Sequence, residues 1–297
     1  MQVLVTGASG FIGRRVVTRL LRGGFRVTAF VRTPDSLAAL AGDGLSVTTG
    51  VIEDGAALER AAAGCSAVVH LAGAAGGVDA LQVHAVNVGG TEQVLAAARA
   101  AGVQRIIFTS TISAMRGQLG PYGHSKRLAE ERVRASGLPY VILRPSLVYG
   151  GADIGLVALL VRCLRALPVM PVIGDGRIEI DPVHLDDLCG VIEACLVRDD
   201  VLGKTYDVLG PDRVTFDDFL RRLSAALGVR RPLLHLPAQA ILLLARGLGR
   251  VMAHPPITVD NVLGLTSPAR VDREPARRDF AIAWTPLDAG LRALATR

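Results

Sequence analysis

The sequence predicts an α/β fold built on a doubly wound parallel sheet, followed by a smaller α/β region. In the first half, six short runs rich in β-branched residues alternate with longer segments of helical apolar spacing. The strand-like runs are apolar almost throughout, which is typical of strands that a parallel sheet buries on both faces. Regular alternation of strand and helix therefore indicates helices on both sides of one sheet.

The predicted strands all lie within residues 1–150, and helical segments separate them. In chain order they are QVLVTG at 2–7, RVTAFV at 26–31, LSVTTG at 45–50, AVVHLA at 67–72, RIIFTS at 105–110 and YVILRP at 140–145. Two of the segments between them, 11–24 and 89–102, end in Gly, which is a common helix stop. This pattern predicts a first domain over residues 1–150.

The second half has a different pattern, from about Arg144 onward. Turn-forming residues cluster in GDGRIEIDP and LGPDRVTFDD. Thr215 precedes a helical segment with Asp218 three residues later, which predicts a helix N-cap. We expect residues 151–297 to form a smaller substrate-binding region, while a segment at about 178–210 returns to the main sheet.

The composition argues against one class of partner. The chain of 297 residues has a net charge of +6, but its basic residues are scattered and aromatic residues make up only 4%. Nucleic-acid binding usually needs a basic patch or aromatic stacking platforms, so we expect no nucleic-acid partner. A small molecule that bears phosphate suits the same charge.

Cysteines and apolar runs indicate the cellular setting. The four cysteines form no Cys-x-x-Cys pair and have no histidine at metal-ligand spacing, which predicts reduced thiols, no metal and a cytoplasmic protein. A strand that begins at residue 2 argues against a signal peptide. The most apolar run, AQAILLLA at 238–245, is too short to span a membrane. We expect it in the core or at an interface, with a peripheral membrane or complex contact as the alternative.

A glycine-rich turn follows the first strand directly. In TGASGFIGRR the glycines are Gly7, Gly10 and Gly13. We expect Gly7 to make the tight turn, Gly10 to let the backbone approach a pyrophosphate, and Gly13 to allow close helix packing. The helix that follows would point its N-terminal N–H groups at the phosphates, which predicts a dinucleotide site in a Rossmann domain. The same turn contributes Ser9, Phe11 and Ile12 to the predicted cofactor site.

The residue after the second strand bears on the choice of cofactor. An acid there would bind the ribose 2′-hydroxyl of NAD, whereas this strand ends in AFVRTP, with Arg32 and no acid beside it. A guanidinium suits a 2′-phosphate, and Arg14 is a second candidate for that contact. NADP is therefore the expected cofactor, with NAD as the alternative. The other interpretation is that Arg32 is a solvated arginine in an arginine-rich chain.

Tyr122 and Lys126 stand four residues apart in PYGHSK. If this segment is helical, both side chains lie on one face about a turn apart. Only two of the 33 basic residues are lysines, Lys126 and Lys204, so this position favours an ammonium over a guanidinium. A free tyrosine has a pKa of about 10, and a nearby ammonium would lower it. The pair therefore predicts a proton donor and acceptor at Tyr122.

Hydroxyl side chains end the fifth strand, in IIFTSTISA. Ser110, Thr111 and Ser113 stand where that strand opens toward the ligand crevice. One of these hydroxyls is suited to hydrogen-bond a substrate carbonyl beside Tyr122. A turn or helix cap is the alternative interpretation for each of them.

A set of motifs runs in order from residue 2 to about residue 190. They are TGASGFIG, HLAG, NVGGT, FTST, YGHSK, LRPSLVYG and DPVHLDDL. Together they resemble the extended or atypical short-chain dehydrogenase/reductase superfamily, which includes the NAD-dependent epimerase/dehydratase family. The resemblance implies that Tyr122 is the catalytic acid and base and that Lys126 holds the nicotinamide ribose. It also implies that Thr111 is the Ser or Thr that relatives carry after the fifth strand. It also implies cofactor contacts at Ala72, Gly73, Asn87 and Pro145.

A narrower resemblance concerns the second half. The segments ILRPSLVYGGAD, GKTYDVLGP and PPITVDNV look like the nucleotide-binding accessory subunit of respiratory complex I and its bacterial relatives. Two positions depart from the wider superfamily. Val51 stands where relatives carry an adenine-contacting Asp, and Pro145 with Ser146 replaces the Asn of sugar-modifying relatives.

Three functions stay open at this stage. We expect an oxidoreductase that transfers hydride between NADP(H) and a carbonyl or hydroxyl group of a small-molecule substrate. The alternatives are a non-catalytic nucleotide-binding or complex I accessory protein, and a nucleotide-sugar epimerase or dehydratase. The substrate and the oligomeric state are open, with a homodimer as one alternative.

Overall fold

The computed structural model describes residues 1–40, 42–75, 79–151, 156–252 and 257–295. Its strands are β1 (Gln2–Thr6), β2 (Arg26–Val31), β3 (Leu45–Thr49), β4 (Ala67–His70), β5 (Arg105–Thr109), β6 (Tyr140–Pro145), β7 (Val148–Tyr149), β8 (Met170–Ile173), β9 (Glu179–Ile180), β10 (Val183–His184), β11 (Thr205–Val208), β12 (Val214–Thr215) and β13 (Leu233–Leu236). Its α-helices are α1 (Phe11–Arg22), α2 (Gly55–Ala62), α3 (Ala80–His84), α4 (Gly90–Ala100), α5 (Pro121–Arg134), α6 (Leu156–Ala166), α7 (Leu185–Val197), α8 (Phe216–Ala226), α9 (Ala238–Val251), α10 (Val259–Thr266), α11 (Glu274–Asp279) and α12 (Leu287–Ala295).

A parallel sheet of seven strands forms the centre of the molecule, in the order β11–β6–β5–β4–β1–β2–β3. Every pairing in this sheet is parallel. All six strands expected from the sequence belong to it, so the predicted doubly wound α/β fold is confirmed. The strand order reverses between β1 and β4, and such a reversal leaves a ligand crevice at the carboxyl ends of the strands.

Two apolar layers cover the two faces of the sheet. Successive residues of a strand point to opposite faces, so Val5 joins one layer and Leu4 joins the other. The first layer contains α1 and α7, with Leu188 fully buried. The second contains α2, α4 and α5, with Val94 and Val133 buried. Helices on both faces explain why the strands are apolar along their whole length.

The second half of the chain builds a separate apolar cluster and also returns to the sheet. Phe219 of α8, Leu164 of α6 and Leu291 of α12 are buried together in this cluster. β11 pairs with β6, and α7 packs in the first helical layer, as expected for the segment at about 178–210. The Thr215 hydroxyl accepts a hydrogen bond from the Asp218 N–H at 3.1 Å, which confirms the expected N-cap. The division into domains near residue 150 stays a prediction.

The apolar run at 238–245 lies in α9. Leu243 is 68% exposed and Leu244 49% exposed, so the expectation of a core position is wrong for these two residues. Ala245, on another side of the same helix, is buried. None of the helices that the structure describes combines the length and apolarity needed to cross a membrane.

Gly13→Ala tests the packing of α1 on the glycine turn. An added Cβ would overlap the Gly7 carbonyl oxygen, so we expect the variant to lose about 1–3 kcal/mol of unfolding free energy. Gly247→Ala is the matched control, because nothing lies within 4 Å of a Cβ added in this exposed part of α9. That control should gain up to about 1 kcal/mol from helix propensity. Urea unfolding followed by circular dichroism measures both, and equal changes would contradict the packing constraint at Gly13.

Candidate active site

The glycine turn has two of the three features expected from the sequence. Gly7 adopts a φ of 68°, in the left-handed region, and a Cβ there would come within 2.7 Å of the Ala72 nitrogen. Gly13 lies directly against the Gly7 carbonyl. Gly10 precedes α1 as its N-cap and donates its N–H to the Gly7 oxygen at 3.0 Å. The approach of a pyrophosphate to Gly10 stays a prediction.

A cavity of about 190 Å³ lies beside this turn, at the carboxyl ends of β4, β5 and β6. Of the residues singled out in the sequence, Ile12, Gly73, Thr111, Tyr122, Lys126 and Pro145 line it. We call it the inner cavity. The structure therefore brings together residues that are more than a hundred positions apart in the chain.

The other predicted site residues surround the inner cavity. Ser9 lies in the glycine turn, where its carbonyl accepts a hydrogen bond from Arg14 Nε at 3.0 Å. Phe11 lines a second cavity, described below. Ala72 packs in the second apolar layer. Arg32 is exposed, and the pairing of Thr6 with Phe30 places it beside the glycine turn.

Asn87 joins the loop after β4 to α5. It lies in a π-helical turn between α3 and α4, and only 1% of it is exposed. Its side chain accepts a hydrogen bond from the Ala74 N–H at 2.7 Å and donates to the Ser125 hydroxyl at 2.8 Å. Ser125 in turn donates to the Tyr122 carbonyl at 2.9 Å. Asn87 thus connects the wall at Gly73 to the helix that carries Tyr122.

A series of buried hydrogen bonds runs from the Asn87 carbonyl through Thr91 and His70 to Thr6. The Thr91 hydroxyl donates to the Asn87 carbonyl at 2.6 Å, so it can only accept from His70 Nε2, which lies 3.0 Å away. The other ring nitrogen of His70 then accepts from the Thr6 hydroxyl at 2.7 Å. Burial, together with the charge of Lys126, lowers the pKa of His70 to about 3, so the ring is neutral. This series of hydrogen bonds ties β1 and β4 to α4.

Tyr122 has a higher pKa than the sequence led us to expect. Burial and the nearby Asp260 carboxylate raise the pKa of Tyr122 to about 12. The Thr111 side chain acts in the opposite direction but does not offset them. The expectation that Lys126 gives this tyrosine a lowered pKa is therefore wrong, because desolvation of the phenolate outweighs the favourable contacts. Tyr122 is a firmly protonated phenol at neutral pH.

Thr111 caps a turn, which was the alternative interpretation of its hydroxyl, while its contact with a substrate carbonyl stays a prediction. Its hydroxyl accepts a hydrogen bond from the Ser113 N–H at 3.2 Å, which caps a short 3₁₀ turn. The same side chain lies beside the Tyr122 phenol and acts to lower its pKa. The cap fixes the hydroxyl in place beside the phenol, at the mouth of the inner cavity.

Lys126 is a buried ammonium on the same helix face. It is 3% exposed, and its Nζ lies 4.3 Å from the centre of the Phe108 ring. Burial lowers the pKa of Lys126 to about 8, although the Glu130 carboxylate acts in the opposite direction. The expected helix is confirmed, since α5 carries Tyr122 and Lys126 a turn apart with both facing the cavity.

Glu130 is a buried acid near Lys126 that the motifs in the sequence did not single out. It is 1% exposed, and Arg144 of β6 binds its two oxygens at 2.8 and 2.6 Å. Arg134 adds a third hydrogen bond at 2.8 Å. The signal was present, because Glu130 follows Lys126 by the same four-residue step that separates Lys126 from Tyr122.

Asp260 was also missed, and nothing in its local sequence singles it out. It belongs to α10, yet its Oδ2 accepts a hydrogen bond from the Tyr122 N–H at 3.1 Å, in the first turn of α5. A carboxylate is stabilising at this end of a helix. Gly120 leaves room for it, since a Cβ there would overlap the Asp260 carboxylate.

A second cavity of about 380 Å³ continues from the inner one. The lining residues that the two share are Ala75, Thr111, Tyr122, Ser146 and Val148. We call it the outer cavity. Its apolar lining includes Phe11, Ile112, Leu147, Ile180, Phe216 and Leu265. Two charged side chains, Arg116 and Asp260, also reach it.

The inner cavity has the polar atoms that a nicotinamide would need. The hydroxyl oxygens of Thr109 and Ser146 are buried there, and neither has a hydrogen-bond partner in the described part of the chain. Buried hydroxyls are usually paired, so these two are suited to a polar group of a ligand, such as a carboxamide. The residues present therefore fit the cofactor that the glycine turn predicts.

Comparison with known proteins agrees with this geometry. A family model described as NAD(P)H-binding matches residues 7–160. The chain is 31% identical to the 2-alkyl-3-oxoalkanoate reductase of Stenotrophomonas maltophilia, over 99% of this chain and 98% of that one. It is 32% identical to the ceramide reductase of Caulobacter vibrioides, over 81% of this chain and 75% of that one.

Among solved structures, the chain is similar to UDP-glucuronic acid 4-epimerase from Bacillus cereus, which contains UDP-glucuronic acid and NAD. The TM-score is 0.81 at 21% identity, with 100% of this chain and 98% of that one covered. A likeness at this identity concerns the fold alone. The narrower resemblance to the complex I accessory subunit stays a prediction.

Asp260→Asn tests the electrostatic environment of Tyr122. Removing the nearby negative charge should lower the pKa of Tyr122, so its phenolate should form at lower pH than in the parent protein. The measurement is a ¹⁹F NMR titration of protein labelled with 3-fluorotyrosine, in which Tyr122→Phe assigns the resonance. Asp43→Asn, at an exposed position, is the matched control and should leave the midpoint unchanged. A midpoint that does not move in Asp260→Asn would contradict the proposed influence.

Proposed function

The chain belongs to the NAD(P)H-binding family within the extended short-chain dehydrogenase/reductase superfamily and is an NAD(P)-dependent enzyme of oxidoreductase or epimerase type. From this premise we propose that it reduces a ketone in a largely apolar substrate, with NADPH as the preferred cofactor. One observation carries the proposal. Thr111 and Tyr122 lie on the wall that joins the inner cavity, beside the glycine turn, to the outer cavity with its largely apolar lining.

The protonation state of Tyr122 supports a role as a proton donor. A bound nicotinamide cofactor supplies the hydride. A phenol with a pKa of about 12 keeps its proton at neutral pH, so Tyr122 is suited to donate that proton to a carbonyl oxygen that gains negative charge. The Thr111 hydroxyl, on the same stretch of cavity wall, is suited to hold the same carbonyl oxygen. Reduction of a ketone uses both groups as they stand.

Lys126 contributes charge to the inner cavity in this proposal. Its ammonium lies on the same helix face as Tyr122 and lines the same cavity. A pKa of about 8 keeps it mostly protonated at neutral pH, where it stabilises an oxyanion that forms nearby and can donate to hydroxyl groups of a bound cofactor.

The apolar substrate class rests on the outer cavity. A cavity of about 380 Å³ whose walls include Phe11, Leu147 and Phe216 accepts an apolar chain or ring system. Both curated relatives carry names that refer to molecules with long apolar parts, an alkyl-substituted oxoalkanoate and a ceramide. A nucleotide-sugar epimerase is the second candidate, because the solved structures of that class share the fold. Tight binding of UDP-glucuronic acid in calorimetry would favour it.

The preference for NADP rests on Arg32. It is exposed beside the glycine turn, at the end of β2, where an acid would indicate NAD. A guanidinium at this place is suited to a 2′-phosphate.

Tyr122→Phe tests the catalytic role. We expect oxidation of NADPH in the presence of a 2-alkyl-3-oxoalkanoate to fall by at least about 100-fold, because the proton donor is lost. Tyr140→Phe is the matched control, because this tyrosine lies at the start of β6 and lines neither cavity. The rate of NADPH oxidation by that variant should be unchanged. Consumption of NADPH is followed by absorbance. A Tyr122→Phe enzyme that retains its rate would rule out the mechanism, and the absence of turnover with every ketone tried would favour a non-catalytic nucleotide-binding protein.

Arg32→Ala tests the choice of cofactor. We expect the affinity for NADPH to fall by about 10-fold or more while the affinity for NADH changes little, because one charge-assisted contact is lost. Arg26→Ala is the matched control at the opposite end of the same strand, where the side chain is also exposed. Fluorescence titration with each nucleotide gives both affinities. An equal loss for NADPH and NADH would count against a contact with the 2′-phosphate.

A further inference from the structure

Arg116 brings a positive charge to the wall of the outer cavity. It follows β5 and the short turn that Thr111 caps, and it lines the outer cavity together with Tyr122. Burial lowers the pKa of its guanidinium, and no carboxylate of the described residues offsets that effect. A guanidinium remains charged even so, since its ordinary pKa lies far above neutral pH.

Some partly buried arginines have acidic partners, whereas, within the described ranges, Arg277 resembles Arg116 in donating only to backbone carbonyls. The side chains of Arg144 and Arg105 are each 14% exposed, and they pair with Glu130 and Asp199 respectively. Arg116 instead donates one guanidinium N–H to the Ser267 carbonyl, and its Nε is buried without a partner among the residues that the structure describes. The protein therefore fixes this charge at the cavity without neutralising it.

The position of Arg116 is held by backbone contacts as well as by its side chain. Its backbone forms an antiparallel bridge with Ala269, and the Gln118 N–H donates to the Ser267 hydroxyl at 3.2 Å. These contacts join the loop before α5 to the segment after α10. The guanidinium thus lies on a supported part of the wall, which is what selective recognition of a ligand requires.

An unneutralised guanidinium in an apolar cavity is costly unless a ligand supplies the opposite charge. A carboxylate matches the guanidinium fork and forms short, charge-assisted hydrogen bonds with it. We propose that Arg116 binds the carboxylate of the substrate, so that the outer cavity takes apolar oxo acids with their ketone at Tyr122. This proposal rests on the proposed ketone reduction, because it assigns the substrate class of the same site.

Asp260 gives such a substrate a preferred orientation. Its carboxylate is hydrogen-bonded to the Tyr122 N–H and faces the same cavity. Like charges repel, so a substrate carboxylate is disfavoured next to Asp260 and favoured on the Arg116 side of the cavity. The ketone is then the part of the molecule that reaches Tyr122 and Thr111.

Binding of two non-reacting probes tests the proposal without turnover. Decanoate and decan-1-ol share a chain length and differ in charge, and calorimetry with the NADPH-saturated full chain compares them. We expect decanoate to bind about 10-fold or more tightly than the alcohol. Arg116→Met should weaken decanoate by about 10- to 100-fold and shift the alcohol by less than about threefold, because only the acid uses the guanidinium.

Two further variants provide the controls. Arg127→Met removes the same charge from the exposed side of α5 and should leave both affinities unchanged. Arg116→Lys keeps the positive charge but lacks the bidentate guanidinium, so it should retain part of the preference for decanoate over decan-1-ol. This variant tests the proposal even if Arg116→Met does not fold. A parent protein that binds acid and alcohol equally, or an equal loss of decanoate in Arg127→Met, would overturn the proposal. Failure of ketone reduction alone would leave this binding result standing, so the two failures are distinguishable.

Discussion

The ammonium group of Lys126 is buried beside the inner cavity, and much of the surrounding structure offsets the cost of that burial. A buried cation needs a nearby negative charge, and Glu130, one turn further along α5, supplies it. Glu130 is itself buried and depends on Arg144 of β6 and on Arg134. The helix face with Tyr122, Lys126 and Glu130 is therefore fixed to the sheet by charge as well as by apolar packing. The same ammonium helps to keep His70 neutral, which sets the direction of the hydrogen bonds below Asn87.

The chemistry of Tyr122 is set from outside the sheet as well as from within it. Asn87 and Ser125 are hydrogen-bonded to each other, and Ser125 donates to the backbone of α5 beside the inner cavity. Asp260 of α10 accepts a hydrogen bond from the first turn of the same helix. Its negative charge also opposes ionisation of the Tyr122 phenol. A tyrosine in these surroundings is a stable proton donor. The acidity of this group thus depends on a residue 138 positions away in sequence.

The sequence was a good guide wherever a local pattern reports a local cause. Short apolar runs that alternate with helical segments ending in glycine predicted the six strands. The four-residue spacing of Tyr122 and Lys126 predicted that both lie on one helix face. The sequence also predicted the cap at Thr215, because capping depends on adjacent residues. It gave the wrong direction for the pKa of Tyr122, since desolvation depends on tertiary packing. Arg116 and Asp260 could not be found, because their importance comes from contacts between distant segments. Exposure of Leu243 and Leu244 was missed for the same reason, since hydropathy does not say which face of a helix is covered.

The carboxylate of Asp260 has a consequence for how such enzymes acquire new substrates. The segment that helps to line the outer cavity also caps the helix that carries Tyr122, so the two halves of the molecule cannot diverge independently. A graft of residues 257–295 from a relative would have to bring an acid to the same place, opposite a glycine at position 120. Without that pair, a transplanted segment would alter the surroundings of Tyr122 together with the lining of the outer cavity. Recombination points in this lineage should therefore keep α5 and α10 from a single parent.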